Sequence, residues 1–224
     1  MGAVNYVRIF KGFKDEGLIE MKGKNCFIKK NQITGIILAG GRSRRMGMEK
    51  GLVELNGKPL IEYAIDVMKK VAGKILISSN GKAYDKYALE VVQDIIPDSG
   101  PMGGIYSCLY HSSADYNLVL SCDTPFVGPD LYDYLVQKAV GKDCVVPWHG
   151  GEHYEPLCAL YQKKLTKIFL EFIRQGNYKI PDLLNAVKLC RIPINKNLSF
   201  YDEDLFFNIN SREDLYKAGL KLRH

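Results

Sequence analysis

The chain has 224 residues, of which 46% are hydrophobic, and a formal net charge of +6, so it can bury the core of one domain. No apolar stretch approaches the roughly 20 residues of a membrane span, and the N-terminus lacks the apolar segment of a signal peptide; we therefore expect a cytoplasmic protein that binds no membrane. Residues 33–224 carry only +2 of the charge and no basic stripe interleaved with aromatic residues, which argues against nucleic-acid binding.

Residues 1–32 differ from the rest of the chain. They hold seven Lys/Arg residues against three acidic ones, and strand-like runs cover Asn5–Phe10, Gly17–Met21 and Asn25–Lys30. A small β-meander and a disordered basic tail both fit this pattern. We treat residues 1–32 as a basic N-terminal extension of unknown function and residues 33–224 as the main domain.

From Ile33 onward, strand and helix patterns alternate. Short apolar runs bounded by turn residues predict strands over Ile33–Leu38, Lys74–Ser79, Val91–Val92, Asn117–Cys122, Asp143–Pro147, Leu157–Tyr161, Lys188–Ile192 and Phe206–Ile209. Apolar residues at helical spacing predict helices over Pro59–Ala72, Tyr84–Leu89, Ile105–His111, Pro129–Val140, Leu165–Arg174, Pro181–Ala186 and Ser211–Leu220. This alternation predicts an α/β, Rossmann-like fold of three layers with a mostly parallel central sheet.

The most informative segment is residues 35–51, GIILAGGRSRRMGMEKG, in which a buried strand breaks into Gly40-Gly41. Four cations follow the glycines: Arg42, Arg44, Arg45 and Lys50. Exposed backbone N–H groups followed by positive charge suit a polyphosphate, although the spacing matches neither a P-loop nor the dinucleotide-binding fingerprint. An ordinary strand with a solvated basic turn is the alternative interpretation of this segment.

Polar residues follow each of the first four predicted sheet strands: Gly40-Gly41, Asn80, Asp94 and Asp123. Ligands of parallel sheets bind outside the carboxyl ends of the strands, where these residues should converge. Asp123 is the most informative of them, because one carboxylate opposite a basic glycine loop is enough to hold Mg²⁺ on a triphosphate. Each residue alone also has a structural explanation, such as a turn at Asn80 or a helix cap at Asp123.

The cysteines and histidines indicate neither a disulfide framework nor a zinc site, because they are scattered and no Cys-x-x-Cys pair occurs. Cys122 should point into the core, opposite to Asp123. No nucleophile with an adjacent base is evident. This favours a reaction in which the substrates supply the nucleophile and the leaving group while the protein positions them and neutralises charge.

These residues resemble the signature of nucleotidyltransferases that transfer NMP from an NTP, and among them the molybdenum cofactor guanylyltransferases. The resemblance covers residues 33–220. The matching motifs are Leu38-Ala39-Gly40-Gly41-x-x-x-Arg45-Met46-Gly47-x-x-Lys50, Leu55–Leu60, Asp94, Gly100–Gly104, Cys122–Pro125, Glu155–Leu160 and Phe207–Ser211. The resemblance identifies residues 33–224 as a nucleotidyltransferase domain.

The resemblance also implies roles for individual residues. The nucleotide-binding residues are Leu38, Ala39, Gly40, Gly41 and Asp94, together with an amide or hydroxyl after the second strand that either Ser78 or Asn80 supplies. The residues implied at the phosphates and the metal are Lys50 and Arg45 on the triphosphate, Asp123 as the Mg²⁺ ligand, and Asn208 and Asn210 closing the site.

The implied reaction transfers GMP from Mg²⁺-bound GTP to the phosphate of molybdopterin or molybdenum cofactor, releasing pyrophosphate. The pterin should bind in the C-terminal half, near His153 and Glu155 and before Leu165, and we expect a monomer. The alternatives are a cytidylyltransferase or sugar-phosphate nucleotidyltransferase on the same fold, or a non-catalytic nucleotide-binding module. A further hypothesis is that the basic extension docks a molybdoenzyme apoprotein or its chaperone.

Overall fold

The computed structural model describes residues 28–40, 42–43, 48–151 and 153–222 of the chain. The strands within these ranges are β1 (Ile33–Leu38), β2 (Arg42–Ser43), β3 (Met48–Glu49), β4 (Glu54–Leu55), β5 (Lys58–Pro59), β6 (Lys74–Ser78), β7 (Glu90–Val92), β8 (Tyr116–Ser121), β9 (Cys144–His149), β10 (His153–Tyr154), β11 (Leu160–Gln162) and β12 (Leu189–Pro193). The α-helices there are α1 (Leu60–Val71), α2 (Gly100–His111), α3 (Pro129–Gln137), α4 (Thr166–Arg174), α5 (Ile180–Asn185) and α6 (Arg212–Lys221).

One mixed sheet organises the domain, in the order β10-β9-β11-β8-β1-β6-β7, and β12 also pairs with β9, in parallel. Strands β7, β6, β1 and β8 are parallel to one another, whereas β11 runs antiparallel to both β8 and β9. Strands β8 and β9 therefore point in the same direction. We call the edge where the parallel strands end the carboxyl edge, and the edge where they begin the amino edge.

Helices cover both faces of this sheet, as the sequence predicts. All six residues of β1 are buried, because alternate side chains enter different cores. Ile37 packs in the core under α1 and α3, whereas Ile36 packs in the core under α2, α4 and α5. The α/β architecture of three layers with a mostly parallel sheet is therefore confirmed.

Helix α2 begins at Gly100, five residues before the predicted start at Ile105. The glycines in its first turns resemble a loop in the sequence, but here they allow close packing. A Cβ on Gly104 would come 2.5 Å from the Ser78 hydroxyl, and one on Gly103 would come 2.8 Å from the Ser99 side chain. Gly104 thus lets the helix pack closely on β6, and Gly103 makes room for the Ser99 side chain at the helix start, which a single-sequence pattern does not reveal.

Two other predicted elements are wrong. The predicted helix at Tyr84–Leu89 is only a 3₁₀ turn over Asp85–Tyr87, which ends where Ala88 adopts a left-handed backbone (φ 52°). The predicted strand at Phe206–Ile209 is an irregular segment, whose apolar side chains pack individually against different parts of the domain. Elsewhere, the observed bounds differ from the predicted ones by a few residues.

The N-terminal extension falls largely outside the described residues, including the first two predicted strands. Of the third, Lys30 opens a 3₁₀ turn over Lys30–Gln32 rather than ending a strand. Ile28 is buried in the core under α1, and Asn31 packs so tightly on the α1–β6 turn that a Cβ on Gly73 would come 2.8 Å from its Cα. No helix within the described ranges is long and apolar enough to cross a membrane.

Candidate active site

The ends of the central strands are tied together at the carboxyl edge by backbone hydrogen bonds. The Ala39 N–H donates to the Ser78 carbonyl (3.1 Å), and the Cys122 N–H donates to the Leu38 carbonyl (3.1 Å). Leu38 and Ala39 are buried, whereas Gly40 is exposed just beyond them. The predicted glycine turn and the predicted metal ligand therefore leave the sheet side by side. Gly41 and Arg45 lie outside the described residues.

Lys50, Asp123 and Asn210 form the centre of this edge, although they are far apart in the sequence. The Lys50 ammonium forms an ion pair with Asp123 Oδ2 and donates to Asn210 Oδ1 (2.8 Å). The side chains of Lys50 and Asp123 are only 18% and 11% exposed. Three residues that the sequence assigned to one phosphate and metal site thus meet in the structure.

Asp123 Oδ1 is buried and has no hydrogen-bond partner among the described residues. A buried carboxylate oxygen without a partner is costly, so an unfilled position of this kind fits a ligand that arrives from outside. Among the described residues, no group of three His, Cys, Asp or Glu side chains could hold a metal by itself. This environment fits Mg²⁺ bound through one carboxylate and substrate phosphates.

The C-terminal segment reaches this centre through the backbone. The Ile209 N–H donates to the Asp123 carbonyl (2.9 Å), and the Asn210 N–H donates to Asp214 Oδ2 (3.0 Å). Ser211 caps α6 by accepting from the Asp214 N–H, as predicted, and its hydroxyl lowers the pKa of Asp214. The capping residues of α6 therefore hold Asn210 against Lys50. Asn208 is exposed at the same segment.

Asn80 and Asp94 form a second polar group at the ends of β6 and β7. The Asn80 amide donates to Asp94 Oδ2 and accepts from the Asp94 N–H, both at 2.8 Å. Ser78 lies differently: it is buried, and its hydroxyl packs against α2 at Gly104. Of the two residues that the sequence left open, Asn80 is the one exposed at the carboxyl edge.

The thiols near this edge are not suited to nucleophilic attack. Cys122 points into the core as predicted, and burial raises the pKa of the Cys122 and Cys158 thiols to about 12. Both are therefore protonated at neutral pH, whereas a cysteine nucleophile reacts as the thiolate. This agrees with a reaction that forms no covalent bond to these cysteines.

Sequence reasoning missed His149, which stands at the end of β9 on the same carboxyl edge. Its Nε2 lies 2.8 Å from Glu155 Oε1, and its ring stacks on Phe206 with the centroids 5.0 Å apart. A cavity of about 500 Å³ opens here between His149 and residues 194–207. The sequence places His149 at the end of an apolar run, which could have indicated its position at the carboxyl edge. The predicted strand, however, stopped at Pro147. His153 is exposed next to it, its ring 6.1 Å from that of His149.

Comparison with known proteins gives a consistent family. A family model described as the MobA-like NTP transferase domain matches residues 35–189. The chain is 37% identical to a probable molybdenum cofactor guanylyltransferase of Pelotomaculum thermopropionicum over 84% of its length and 92% of the relative. It is 38% identical to a protein with the same description from Thermococcus gammatolerans, over 82% of this chain and 97% of the relative.

A solved structure agrees with these relatives. The crystal structure of molybdopterin-guanine dinucleotide biosynthesis protein A from Archaeoglobus fulgidus superimposes with a TM-score of 0.74 and 30% identity, covering 85% of this chain and 98% of that one. Over most of this chain, the fold is thus that of the Archaeoglobus fulgidus protein over nearly its full length.

Proposed function

The chain belongs to the MobA-like NTP transferase family, and we propose that it is a molybdenum cofactor guanylyltransferase that transfers GMP from GTP to the phosphate of molybdopterin or molybdenum cofactor. In this reaction an oxygen of the acceptor phosphate attacks the α-phosphorus of GTP. The bond from that phosphorus to the α–β bridging oxygen breaks, and pyrophosphate leaves. The protein needs no nucleophile of its own, in keeping with the protonated Cys122 and Cys158.

The observation that carries the proposal is the meeting of Lys50, Asp123 and Asn210 beside the glycine turn. We assign Asp123 as the Mg²⁺ ligand, because its Oδ1 is buried with no hydrogen-bond partner among the described residues. Mg²⁺ bound there supplies positive charge that neutralises the triphosphate. Lys50 neutralises the phosphate oxygens further, with Arg45 assigned to the same task by resemblance. Both charges favour departure of pyrophosphate.

The nucleotide should lie over β8, β1, β6 and β7. Backbone groups of Leu38, Ala39, Gly40 and Gly41 would approach the nucleotide, and the Asn80–Asp94 pair would contact its nucleoside part. Asn80 is exposed at this edge while Ser78 is covered by α2, which supports Asn80 as the contacting residue. Asn208 and Asn210 would close the site from the C-terminal segment.

The acceptor should lie on the other side of Asp123, over β9 and β12. The cavity beside His149 is at the same carboxyl edge, and the segment that lines it continues to Ile209, which bonds to the Asp123 backbone. The flat ring of Phe206, stacked on His149, offers the kind of surface on which a pterin ring packs. Glu155 holds the His149 ring in place.

The decisive assay is pyrophosphate release with GTP, CTP, ATP or UTP in the presence of Mg²⁺ and molybdopterin. We expect pyrophosphate release with GTP and with none of the other three nucleotides. Preferred use of CTP, or transfer to a sugar phosphate, would reassign the chain within the fold. A thermal-shift panel with the same nucleotides gives an independent readout, because a ligand bound only by the native state raises its stability. No stabilisation by any nucleotide would contradict nucleotide binding altogether.

The acceptor assignment has its own test. His149→Ala should raise KM for molybdopterin about tenfold and leave KM for GTP unchanged, since the ring lies on the acceptor side. His111→Ala is the matched control, because that histidine lies on the last turn of α2 and its ring bonds, among the described residues, to the Ser107 carbonyl of its own helix. Equal acceptor KM in the two variants would place the pterin elsewhere.

A further inference from the structure

Tyr84 is fully buried, in the stretch that follows β6. Its hydroxyl donates a hydrogen bond to the Ala39 carbonyl, with the two oxygens 3.1 Å apart. Its ring stacks on Tyr87, whose own hydroxyl donates to Glu62 on α1. The tyrosine is thus anchored to the body of the domain while its oxygen reaches the residue at which β1 gives way to the glycine turn.

Gly51 approaches the same oxygen from the other end of that segment. A Cβ on Gly51 would come 2.8 Å from the Tyr84 hydroxyl oxygen and 3.2 Å from the ring. Burial raises the pKa of Tyr84 well above its usual value. The hydroxyl therefore stays protonated, so it can donate to the Ala39 carbonyl while its oxygen lies against Gly51.

We propose that Tyr84 is a positioning residue for phosphate binding: its hydroxyl joins Ala39, just before segment 40–50, to Gly51, just after it. Lys50 directly precedes Gly51. Fixing the position of Gly51 against the sheet therefore limits the positions that the Lys50 ammonium can take. A displacement of about 1 Å at such a group is enough to slow a reaction that depends on charge placement. The inference rests on the proposed function through the role given to Lys50.

The fold contains a matched comparison for this tyrosine. Tyr132 on α3 is also fully buried, and its hydroxyl donates to a sheet carbonyl, that of Val119 (2.8 Å). Tyr132 packs its ring in the same core as Tyr84, but its oxygen bonds within β8 and not at the phosphate-binding segment. Removing either hydroxyl strips one buried carbonyl of a donor, so the two losses of stability should be similar.

The experiment compares Tyr84→Phe with Tyr132→Phe. For each variant, kcat and KM for GTP are measured with saturating molybdopterin and Mg²⁺, and the dissociation constants of GTP and GMP are measured without acceptor. We expect Tyr84→Phe to lower kcat/KM for GTP at least about tenfold and to weaken GTP binding but not GMP binding. Tyr132→Phe should stay within about twofold of the parent in all of these.

Two outcomes would overturn the inference: equal kcat/KM in the two variants, or an equal loss of GTP and GMP affinity in Tyr84→Phe. A parent protein that transfers no nucleotide would instead count against the proposed function, and the GTP and GMP affinities would still decide the role of Tyr84.

A double-mutant cycle tests the contact between Gly51 and the tyrosine oxygen directly. Gly51→Ala should weaken GTP binding by pushing against the tyrosine oxygen, and Tyr84→Phe should restore part of that loss in the double variant. If the two losses simply add, then Gly51 and the tyrosine oxygen do not act together, and the inference fails.

Discussion

Two aspartate–lysine ion pairs lie at opposite edges of the same sheet. They differ in whether both oxygens of the carboxylate have a partner among the described residues. At the amino edge, Asp143 Oδ1 pairs with Lys164 (2.6 Å) and Oδ2 accepts from the Lys188 N–H (2.9 Å). At the carboxyl edge, Asp123 pairs with Lys50 through Oδ2 only, and its buried Oδ1 has no hydrogen-bond partner among the described residues. The first carboxylate is saturated by the fold itself, whereas the second has capacity for a ligand. The ion pair by itself therefore does not indicate a functional site. The carboxylate oxygen that it leaves without a hydrogen-bond partner does.

The largest difference between the two edges should come from the carboxylates. Asp123→Asn should lower the rate of guanylyl transfer by about 10³-fold or more, because it removes the proposed metal ligand's charge from the triphosphate. Asp143→Asn should cost stability and leave the rate unchanged. Steady-state pyrophosphate release measures both, and circular dichroism checks that each variant is folded. Near-parental activity in Asp123→Asn would remove the distinction between the edges.

The lysines should repeat the contrast with a smaller effect. Lys50→Met should lower kcat/KM for GTP by about 10²-fold, because a phosphate-neutralising charge is lost. Lys164→Met should leave kcat/KM for GTP unchanged, since that side chain is 58% exposed at the amino edge. GTP titration and initial rates test the pair of variants. Equal kinetics in both would refute the assignment of Lys50.

Asn210 sharpens the comparison, because Lys50 bonds to it as well as to Asp123, whereas Lys164 at the amino edge has no second side-chain partner among the described residues. Asn210→Ala should lower the transfer rate about tenfold, since it frees Lys50 from a 2.8 Å hydrogen bond that limits its orientations. Asn177→Ala removes an exposed asparagine–aspartate hydrogen bond of similar length (2.9 Å) between α4 and α5 and serves as the control. Rates that match in these two variants would show that Asn210 does not assist Lys50.

The segment before β1 also meets the amino edge, so changes there should alter stability and not transfer. Deleting residues 1–27 should leave the transfer rate unchanged, because every proposed site residue follows Ile33. Deleting residues 1–32 also removes the buried Ile28, at a cost of about 2 kcal/mol in unfolding free energy. Thermal melts and transfer rates of the two truncations test this. A collapse of the rate in a truncated protein that remains folded would place the extension in the site.

The smallest effect is a pH dependence at the amino edge. The Lys164 ammonium holds the pKa of Asp143 below its usual value, so the native state favours the ionised carboxylate. The stabilisation is therefore present above about pH 4 and is lost as the pH falls through the lowered pKa. For a pair this close to the surface we expect about 1 kcal/mol or less. Denaturant melts from pH 7 to pH 3 should show that the free energy of unfolding declines less in Asp143→Asn than in the parent. An equal decline in the two proteins would contradict the contribution assigned to the Asp143–Lys164 pair.

The carboxyl edge could be predicted from sequence where a residue directly follows a buried strand. Asp123, Asn80, Asp94 and the glycine turn all follow such strands, and parallel pairing then brings them together. His149 obeys the same rule but was missed, because the boundary of β9 was placed two residues too early.

Residues that reach the site through irregular chain could not be predicted in this way. Asn208 and Asn210 were assigned to the site by resemblance, yet the predicted strand over Phe206–Ile209 does not form, since Ile209 makes a single backbone hydrogen bond to Asp123 rather than a ladder. Tyr84 was placed in a helix that is only one turn long. Its role depends on burial and on the approach of Gly51, and both are tertiary properties with no local pattern.

The unsatisfied oxygen of Asp123 is the centre of this account, and metal affinity tests it most directly. Mn²⁺, an EPR-visible substitute for Mg²⁺, can be titrated into the parent, Asp123→Asn and Asp143→Asn in the presence of GTP. We expect the parent and Asp143→Asn to bind Mn²⁺ with the same affinity and Asp123→Asn to bind it at least about tenfold more weakly. Equal Mn²⁺ affinity in all three proteins would contradict the assignment of Asp123 as the metal ligand.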